Sequence, residues 1–401
     1  MPQNKPVKIC MITTIAKSFE CFVSDSAKNL AQKGFDVTIM CNDMDKAFLD
    51  KHESFARCIP LPAKRGVDPV SLVKSVRLMR KVFRKENFDI VQYSTPNAAF
   101  YCALSAHAMK NSFRVYNQWG LRYIGLKGIK RFIFKMIEKY TCLRSTHVIS
   151  TSPKNMQFNI DEGLCPKDKI SVIGKGGTIG VDFSVYDINK KEEYRQQVRQ
   201  EYGIGDNTFV FSFVGRVNAD KGINELIRAY RTLSNKYSNT KLMLIGMEDN
   251  ANPPEKSLMN WAKDSDKVIL TGVVPSLRVA QLMAASDMMV HPTYREGFSM
   301  VIQEGMAMEL PVLTTDVPGP NEVVVDGETG VLVPAHSCEA LQQEMEALMN
   351  DSERRQKYTK NGRQRVEQHF SRPVMLENIY ENYIKLLGIE EKQIETNVSY
   401  S

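Results

Sequence analysis

The sequence predicts an α/β chain of two doubly wound domains, each a parallel sheet with helices on both faces, set across a cleft. Three observations carry this. Apolar runs of strand length alternate with amphipathic stretches of helical period, the signature of strand–helix–strand units. The alternation breaks once, at Gly174, Gly176, Gly177 and Gly180, and then restarts. The length, 401 residues, suits two or three domains of ordinary size.

Taken in order, Val7–Thr13 reads as a strand, Ser18–Lys33 as a helix stopped by Gly34, and Asp36–Cys41 as a strand. Val70–Lys85 is helical and Phe88–Gln92 a strand; Pro96–Met109 is helical and Phe113–Asn117 a strand. Lys127–Leu143 is a helix leading to a strand at His147–Ser150. The glycines at 174–180 mark the linker. Beyond it come a strand at Phe209–Val214, a helix at Lys221–Lys236 and strands at Lys241–Ile245 and Lys267–Leu270. Ser276–Ala285 is a helix, Met288–His291 a strand, Ser299–Met308 a helix and Val312–Thr314 a strand. The C-terminal part is helical in pattern, and residues 390–401 are polar and read as a frayed end. The domains are therefore 1–183 and 184–375, with 376–401 as a C-terminal helix and tail.

Composition sets the class. Hydrophobic residues make up 43% and charged residues 25%, which supplies a sizeable core and excludes disorder as the main state. The longest apolar runs are about 8 to 10 residues, against about 20 for a membrane-spanning helix. No signal peptide is evident. Eight cysteines are scattered without a C-x-x-C pair, which argues against a zinc ribbon or a disulfide framework and suits a reducing cytoplasm. Charge is split: residues 1–183 hold 29 Lys+Arg against 15 Asp+Glu, and residues 184–401 hold 24 against 31. A basic front half and an acidic back half imply different partners.

The chemistry sits in the second half. Ligands of open parallel sheets bind at the carboxyl ends of the strands. Val214-Gly215-Arg216 ends the first strand there, and Asp220-Lys221-Gly222 opens the next helix. A strand-end Arg, a helix N-terminus and a first-turn Lys bring positive potential to one place, as a diphosphate requires. A lysine in a first helical turn opposes the macrodipole, so a purely structural salt bridge is the weaker reading. Glu296-Gly297-Phe298-Ser299 and, one turn into the helix, Glu304 follow the strand ending in His291-Pro292. Ser299 can cap that helix. The amides of Phe298–Met300 face the cleft, Glu296 can accept hydrogen bonds from sugar hydroxyls, and Glu304 can take both hydroxyls of a ribose. Alone, such a pair reads as two solvated glutamates; its place between strand and helix, downstream of Arg216 and Lys221, favours a site. Val317–Glu322 and Asp326–Val333 lie at the same sheet edge and read as turns or ligand contacts.

Together, the V-G-R strand end, the D-K-G helix start, the E-G-F-S…E segment and the tail Asp326-Gly327-Glu328-Thr329-Gly330-Val331-Leu332-Val333 resemble retaining glycosyltransferase family 4, of the bacterial surface-polysaccharide type. The likeness covers most of 205–390, and the first half matches in strand order and in Phe88-Asp89-Ile90-Val91. It implies the GT-B fold, two Rossmann-like domains with the acceptor on the first and the nucleotide sugar on the second, and C-terminal helices returning to brace the first. It implies that Gly215, Arg216 and Lys221 bind the donor diphosphate, that Glu296 and Gly297 meet the donor sugar, and that Phe298 and Ser299 present amides. Glu304 would hold the ribose, with the base near Gly246 and Val274. Glu296, Arg216 and Lys221 would be the catalytic set, with no metal and no cofactor besides a UDP-hexose or UDP-N-acetylhexosamine donor. Transfer would retain anomeric configuration, the cleft closing to keep water out.

Two stretches depart from the family. Where many members have paired glycines after the first strand, this chain has Thr13-Thr14-Ile15-Ala16-Lys17-Ser18. Where many have a histidine, it has Asn117-Gln118-Trp119-Gly120. Asp43-Met44-Asp45 and Asp264-Ser265-Asp266 fit a D-x-D metal motif but lack partners; the glycines at 174–180 do not fit G-x-G-x-x-G. His107, His147 and His291 stand isolated and read as core histidines. Trp119–Tyr123, with Arg122, reads equally as an acceptor-sugar platform or as core.

Lys127, Arg131, Lys135 and Lys139 recur every four residues, opposite Ile129, Phe132, Ile133, Met136, Ile137 and Tyr140. Such a basic amphipathic helix either packs on the sheet or lies on anionic lipid. The expected partners are a nucleotide sugar, a glycan or lipid-linked glycan acceptor and an anionic membrane surface, at the inner face of the plasma membrane, with no nucleic acid. The alternatives are a non-catalytic two-lobed binding protein and a sugar-nucleotide epimerase on the same fold.

Overall fold

A computed structural model describes residues 5–66 and 68–389. In chain order the first half runs β1 (Lys8–Ile15), α1 (Ala16–Phe22), α2 (Ser24–Gln32), β2 (Asp36–Asn42), α3 (Lys46–His52), β3 (Arg57–Pro60) and α4 (Pro69–Glu86). It continues with β4 (Ile90–Ser94), α5 (Pro96–Leu104), β5 (Phe113–Gln118), α6 (Gly128–Arg144), β6 (His147–Ser150), α7 (Pro153–Asp161) and β7 (Ile170–Val172). The second half runs α8 (Lys191–Glu201), β8 (Phe209–Val214), α9 (Ile223–Lys236), β9 (Thr240–Ile245), α10 (Lys256–Asp264), β10 (Val268–Gly272) and α11 (Ser276–Ala284). Then come β11 (Met288–His291), α12 (Met300–Ala307), β12 (Val312–Thr315), α13 (Pro320–Val323), β13 (Val331–Val333), α14 (Cys338–Asn350), α15 (Ser352–His369) and α16 (Arg372–Leu387). The polar end at 390–401 lies outside the described residues.

Contacts group the chain into two units, Met1–Ile179 with Met375–Ser401, and Gly180–Val374. The division falls within the glycine-rich segment. Residues 180–183 go with the second unit because Val181 bridges to Ser371 there.

The first unit is a parallel sheet in the order β3-β2-β1-β4-β5-β6-β7. β1 is buried along its whole interior, as a strand covered on both faces must be. One face packs on α4, α5 and α6 through Val76, Met79, Phe83, Ala98, Tyr101 and Cys142. The other packs on α1–α3 and α16 through Phe19, Ala27, Phe48, Tyr380, Tyr383 and Ile384. The Tyr383 hydroxyl, fully buried, donates to Gln92 on β4. Five cysteines, Cys10, Cys41, Cys102, Cys142 and Cys165, are buried in this unit, while Cys21 is exposed.

Three local differences from the sequence reading have physical causes. The helix expected over Ser18–Lys33 is two helices broken at Val23, where Ser26 Oγ donates to the Val23 carbonyl and Ser24 Oγ bonds the His52 ring at 2.9 Å. Asp45 caps α3 by accepting from the Phe48 amide at 2.8 Å, so half of one D-x-D motif is spent on capping. In α6 the sheet-facing residues are Glu138, Thr141 and Cys142, and the apolar side is turned outward. Glu138 is accommodated because Gln118 Nε2 and the Tyr116 hydroxyl donate to it at 2.7 and 2.9 Å. Burial still pushes its carboxyl pKa upward against those two bonds.

The second unit is a parallel sheet in the order β10-β9-β8-β11-β12-β13. The chain leaves β8 for β9 and β10 on one side and returns to β11 on the other. The order therefore reverses between β8 and β11, and a crevice opens at their carboxyl ends.

Candidate functional site

The loops after β8 and β11 are bound to each other at that crevice. After β8, Gly215 takes φ +144°, and Ala219–Lys221 form a single 3-10 turn before α9. Lys221 is thus not in the first turn of α9, which corrects the sequence reading. Gly222, at φ +68°, occupies the N-cap. The Asn218 side chain accepts from the Lys221 amide at 3.0 Å and closes the turn. A Cβ on Gly222 would lie 2.0 Å from the Pro292 carbonyl oxygen, so the loops touch backbone to backbone. The Tyr294 amide donates to the Asp220 carbonyl at 2.9 Å, the Tyr294 hydroxyl donates to Glu225, and Arg295 pairs with Asp220 at 2.5 Å.

Lys221 and Glu296 meet in this junction. The ammonium donates to Glu296 Oε1, and only 14% of the Lys221 side chain is exposed. The same oxygen lies 3.2 Å from His291 Nε2. Burial alone would raise the Glu296 pKa, but the His291 hydrogen bond and the Lys221 charge outweigh it and hold the carboxyl at about 2. His291 is itself buried, stacks on Phe213 at 5.4 Å, and is pushed below its ordinary range by that burial. It stays neutral and donates through Nε2–H, while Nδ1 has no hydrogen-bond partner. In sequence His291 reads as an isolated core histidine. It is core, but it orients Glu296. The available signal was its place as the polar residue ending a strand at the ligand edge.

Arg216 lies apart from this pair. Its guanidinium bonds Asp249 Oδ2 at 2.7 Å, and its side chain is 62% exposed. Asn218 Nδ2 also donates to Asp249, at 3.1 Å. Asp249, which nothing in the sequence singled out, has its carboxyl held below the usual range first by the Ala251 amide, then by Asn218 and Arg216.

Ser299 stands at the N-cap of α12, but its hydroxyl makes no capping bond and is buried without a partner. The first helical bond runs from the Gln303 amide to the Ser299 carbonyl at 3.5 Å, so the amides of Met300, Val301 and Ile302 stay outside the ladder. Phe298 anchors the turn by packing edge-on against Phe370 at 5.4 Å. Gly319, from the turn after β12, would place a Cβ 3.1 Å from Glu296 Cβ and 3.2 Å from the Gly297 carbonyl. The Val317–Glu322 turn therefore braces the Glu296 loop.

Glu304 lies on α12 with the Tyr186 hydroxyl donating to it and Arg372 nearby. Burial raises its carboxyl to about 7, and those two neighbours only partly offset the rise. Arg372 pairs with Asp182 at 2.9 Å, beside the Val181–Ser371 bridge. Neither Tyr186 nor Arg372 was legible as a site residue. Gly246 follows directly on β9, and a Cβ there would lie 1.9 Å from the Gly215 carbonyl oxygen. Its smallness thus serves close backbone packing, whatever it does for a base. Val274, in the loop after β10, is partly buried. Among the described residues no group of three or more His, Cys, Asp and Glu side chains is placed to hold a metal ion.

In the first unit, the two departing stretches are occupied structurally. Thr14 bonds Thr95 through both its amide and its hydroxyl. Gln118 exchanges hydrogen bonds with buried Asn159. Trp119 packs on Phe22 at 4.9 Å, and Tyr123 is core.

The family model described as "Glycosyl transferases group 1" matches residues 194–365, and that described as "Glycosyl transferase 4-like" matches residues 8–152. The capsular polysaccharide biosynthesis glycosyltransferase CapM of Staphylococcus aureus is 33% identical over 386 residues, covering 95% of this chain and 98% of that protein. Among solved structures, sucrose-phosphate synthase from Thermosynechococcus elongatus aligns with a TM-score of 0.78 at 20% identity, over 95% of this chain and 99% of that one. Anabaena HepE in complex with UDP and glucose aligns at 0.74 and 19% identity, over 94% of this chain and 100% of that one. With both family models matched in order and a full-length relative at this identity, the chain belongs to the GT-B glycosyltransferases of family 4.

Proposed function

We propose that this glycosyltransferase moves a sugar from a nucleoside-diphosphate sugar, a UDP-hexose or UDP-N-acetylhexosamine, to a lipid-linked glycan acceptor in surface-polysaccharide synthesis at the inner face of the plasma membrane. The observation that carries the donor reading is the buried Lys221–Glu296–His291 cluster at the β8/β11 crevice, beside the free first amides of α12. The capsular role of CapM and the UDP held by HepE support it.

An ammonium has three donors. One goes to Glu296, and the others are available to the diphosphate oxygens. Glu296, acceptor-only while ionised, takes hydroxyl hydrogens of the donor sugar. As the bond from the anomeric carbon to the diphosphate oxygen breaks, charge grows on the leaving group; Lys221 and the α12 amides stabilise it without reorganising, and Arg216 joins them by turning from Asp249. The acceptor oxygen bonds the anomeric carbon on the face the diphosphate leaves, and its proton departs with the diphosphate, so configuration is retained. The reaction draws its positive charge from these groups, with no metal.

Holding the ribose requires Glu304 as a carboxylate. Below its pKa of about 7, nucleotide binding must release a proton, so affinity for UDP weakens by up to about tenfold per pH unit as pH falls. Titration calorimetry from pH 5.5 to 8 reads this directly, and a flat wild-type profile removes the ribose role. Because the folded pKa exceeds the ordinary 4.5, the stability linked to this proton is present at acid pH and lost as pH rises from about 4.5 to about 7. Glu304→Gln should flatten the binding profile and stabilise the chain at pH 8 by roughly 1–3 kcal/mol.

The reaction itself is tested by incubating the pure protein with UDP- and GDP-sugars, with and without membrane extract as acceptor source. The expected result is nucleotide release that needs both a UDP-sugar and the extract. Donor isomerised without free nucleotide would assign an epimerase, and no consumption with any donor would leave a binding protein.

A further inference from the structure

Two helices of the first unit present an outer surface that the transfer reaction does not use. On α6, Ile129, Phe132, Ile133, Met136, Tyr140 and Leu143 are exposed, Ile129 to 72% and Phe132 to 61%. At 100° per residue they form one stripe along the helix. Lys130 and Arg144 flank it on one side and Lys139 on the other. The stripe of Lys127, Arg131, Lys135 and Lys139 does not share this face: it reaches the edge of the apolar stripe only at Lys139, with Lys127 and Arg131 exposed and Lys135 and Lys139 half-buried. Lys135 is tied to Glu162 at 2.6 Å, and Arg131 lies over the Tyr123 ring.

On α4 the outer side is cationic. Lys74, Arg77, Lys81, Arg84 and Lys85 share it with exposed Val70 and Val73. Among the described residues, Arg77, Lys81, Arg84 and Lys85 form no ion pair. Arg77, Arg80, Lys81, Arg84 and Lys85 line an open cavity of about 530 Å³. The only acids on the two helices are Glu86, paired with Arg57 at 2.9 Å, and buried Glu138. α5 lies between α4 and α6 on the same sheet face and touches both. Their C-terminal ends are joined: Arg80 bonds the Leu104 carbonyl at 2.8 Å, and Arg114 bonds the Arg144 and Met109 carbonyls at 2.9 and 3.0 Å. His107, at this junction, is held below its ordinary range by burial and then by Arg80, Arg84, Arg144 and Lys110.

We infer that α4 and α6 form a docking surface for an anionic phospholipid bilayer, with the apolar stripe of α6 inserted among the acyl chains and the α4 cations set against headgroup phosphates. Charge complementarity selects this occupant. A helix-long stripe of large aliphatic and aromatic side chains, rimmed and flanked by cations without outward acids, matches the bilayer interface, where apolar and anionic layers lie a few ångströms apart. Nucleic acid would answer the cations and leave the stripe in water.

The test is flotation of the full chain with vesicles of 70:30 phosphatidylcholine:phosphatidylglycerol and of pure phosphatidylcholine. Wild type should partition at least about tenfold more strongly onto the anionic vesicles. Arg77→Gln, Lys81→Gln, Arg84→Gln and Lys85→Gln together should cost about 100-fold or more on anionic vesicles, at roughly fivefold per cation. Phe132→Ser with Ile133→Ser should weaken binding to both vesicle types by about tenfold or more. Lys135→Gln should change nothing. An unchanged circular dichroism spectrum and thermal transition in each variant shows that the first unit is folded. Equal partition onto both vesicles, an unaffected four-cation variant, or sedimentation showing that Phe132 and Ile133 hold two copies together would each overturn the inference. Vesicle binding is read without donor or acceptor, so its failure and that of the proposed reaction are separate results.

Discussion

Lys221→Ala should lower turnover by about 100-fold or more, the cost of removing one preorganised donor from a site of developing negative charge. It should also destabilise the second unit, and the two effects have different origins. The ammonium serves a leaving group during reaction, but at rest it neutralises Glu296. Without it the carboxylate is buried against a neutral imidazole, a situation that costs about 3 kcal/mol or more. Arg216→Ala separates the roles: its guanidinium is exposed and paired with Asp249 on the surface. Turnover should fall while stability changes by less than about 1 kcal/mol. Donor consumption and urea denaturation of both variants read this, and near-normal turnover in both would sink the diphosphate assignment. There is also an acid signature. The Glu296 pKa of about 2 is below its ordinary 4.5, so its contribution is full above about 4.5 and lost as pH falls toward 2. Lys221→Ala should shrink that acid-side loss.

Gly222→Ala should unfold or severely weaken the same unit, by about 3 kcal/mol or more. Two penalties coincide. The residue sits at φ +68°, and its Cβ would meet the Pro292 carbonyl at 2.0 Å, where the opposing group is backbone and cannot rotate away. Relief requires parting the β8 and β11 loops, which pulls Lys221 from Glu296. Gly120→Ala is the control: nothing lies within 4 Å and φ is not positive, so its effect should stay within about 0.5 kcal/mol. Denaturation midpoints decide, and a Gly222→Ala chain as stable as wild type would refute the close loop packing.

Much of the architecture could be read because parallel strands covered on both faces announce themselves as continuous apolar runs, β1 and β8 most plainly. β3 could not: it is four residues at the sheet's edge, partly exposed, and ends in Pro60. The break at Val23 depends on Ser24 finding His52, 28 residues away, which no local pattern records. At the site, residue identities were legible and pairings were not. Arg216 and Lys221 look alike in sequence, yet one is spread on the surface and the other locked to a carboxylate 75 residues on. Ser299 stands at the predicted cap and does no capping: its hydroxyl is buried without a hydrogen-bond partner. The direction in which α6 faces was missed for a plain reason. Periodicity shows that a helix has two sides, but not which one meets the sheet, and here Gln118 and Tyr116 satisfy the acid that does.

α16 carries a consequence for how the protein is made. The wall that Tyr380, Tyr383 and Ile384 build against the first sheet is made about 200 residues after β7, the last strand of that sheet. A ribosome adding about 5–20 residues per second needs on the order of ten seconds or more between releasing β7 and supplying that wall. Throughout that interval the nascent first unit carries an open apolar flank that closes only once α16 has been made.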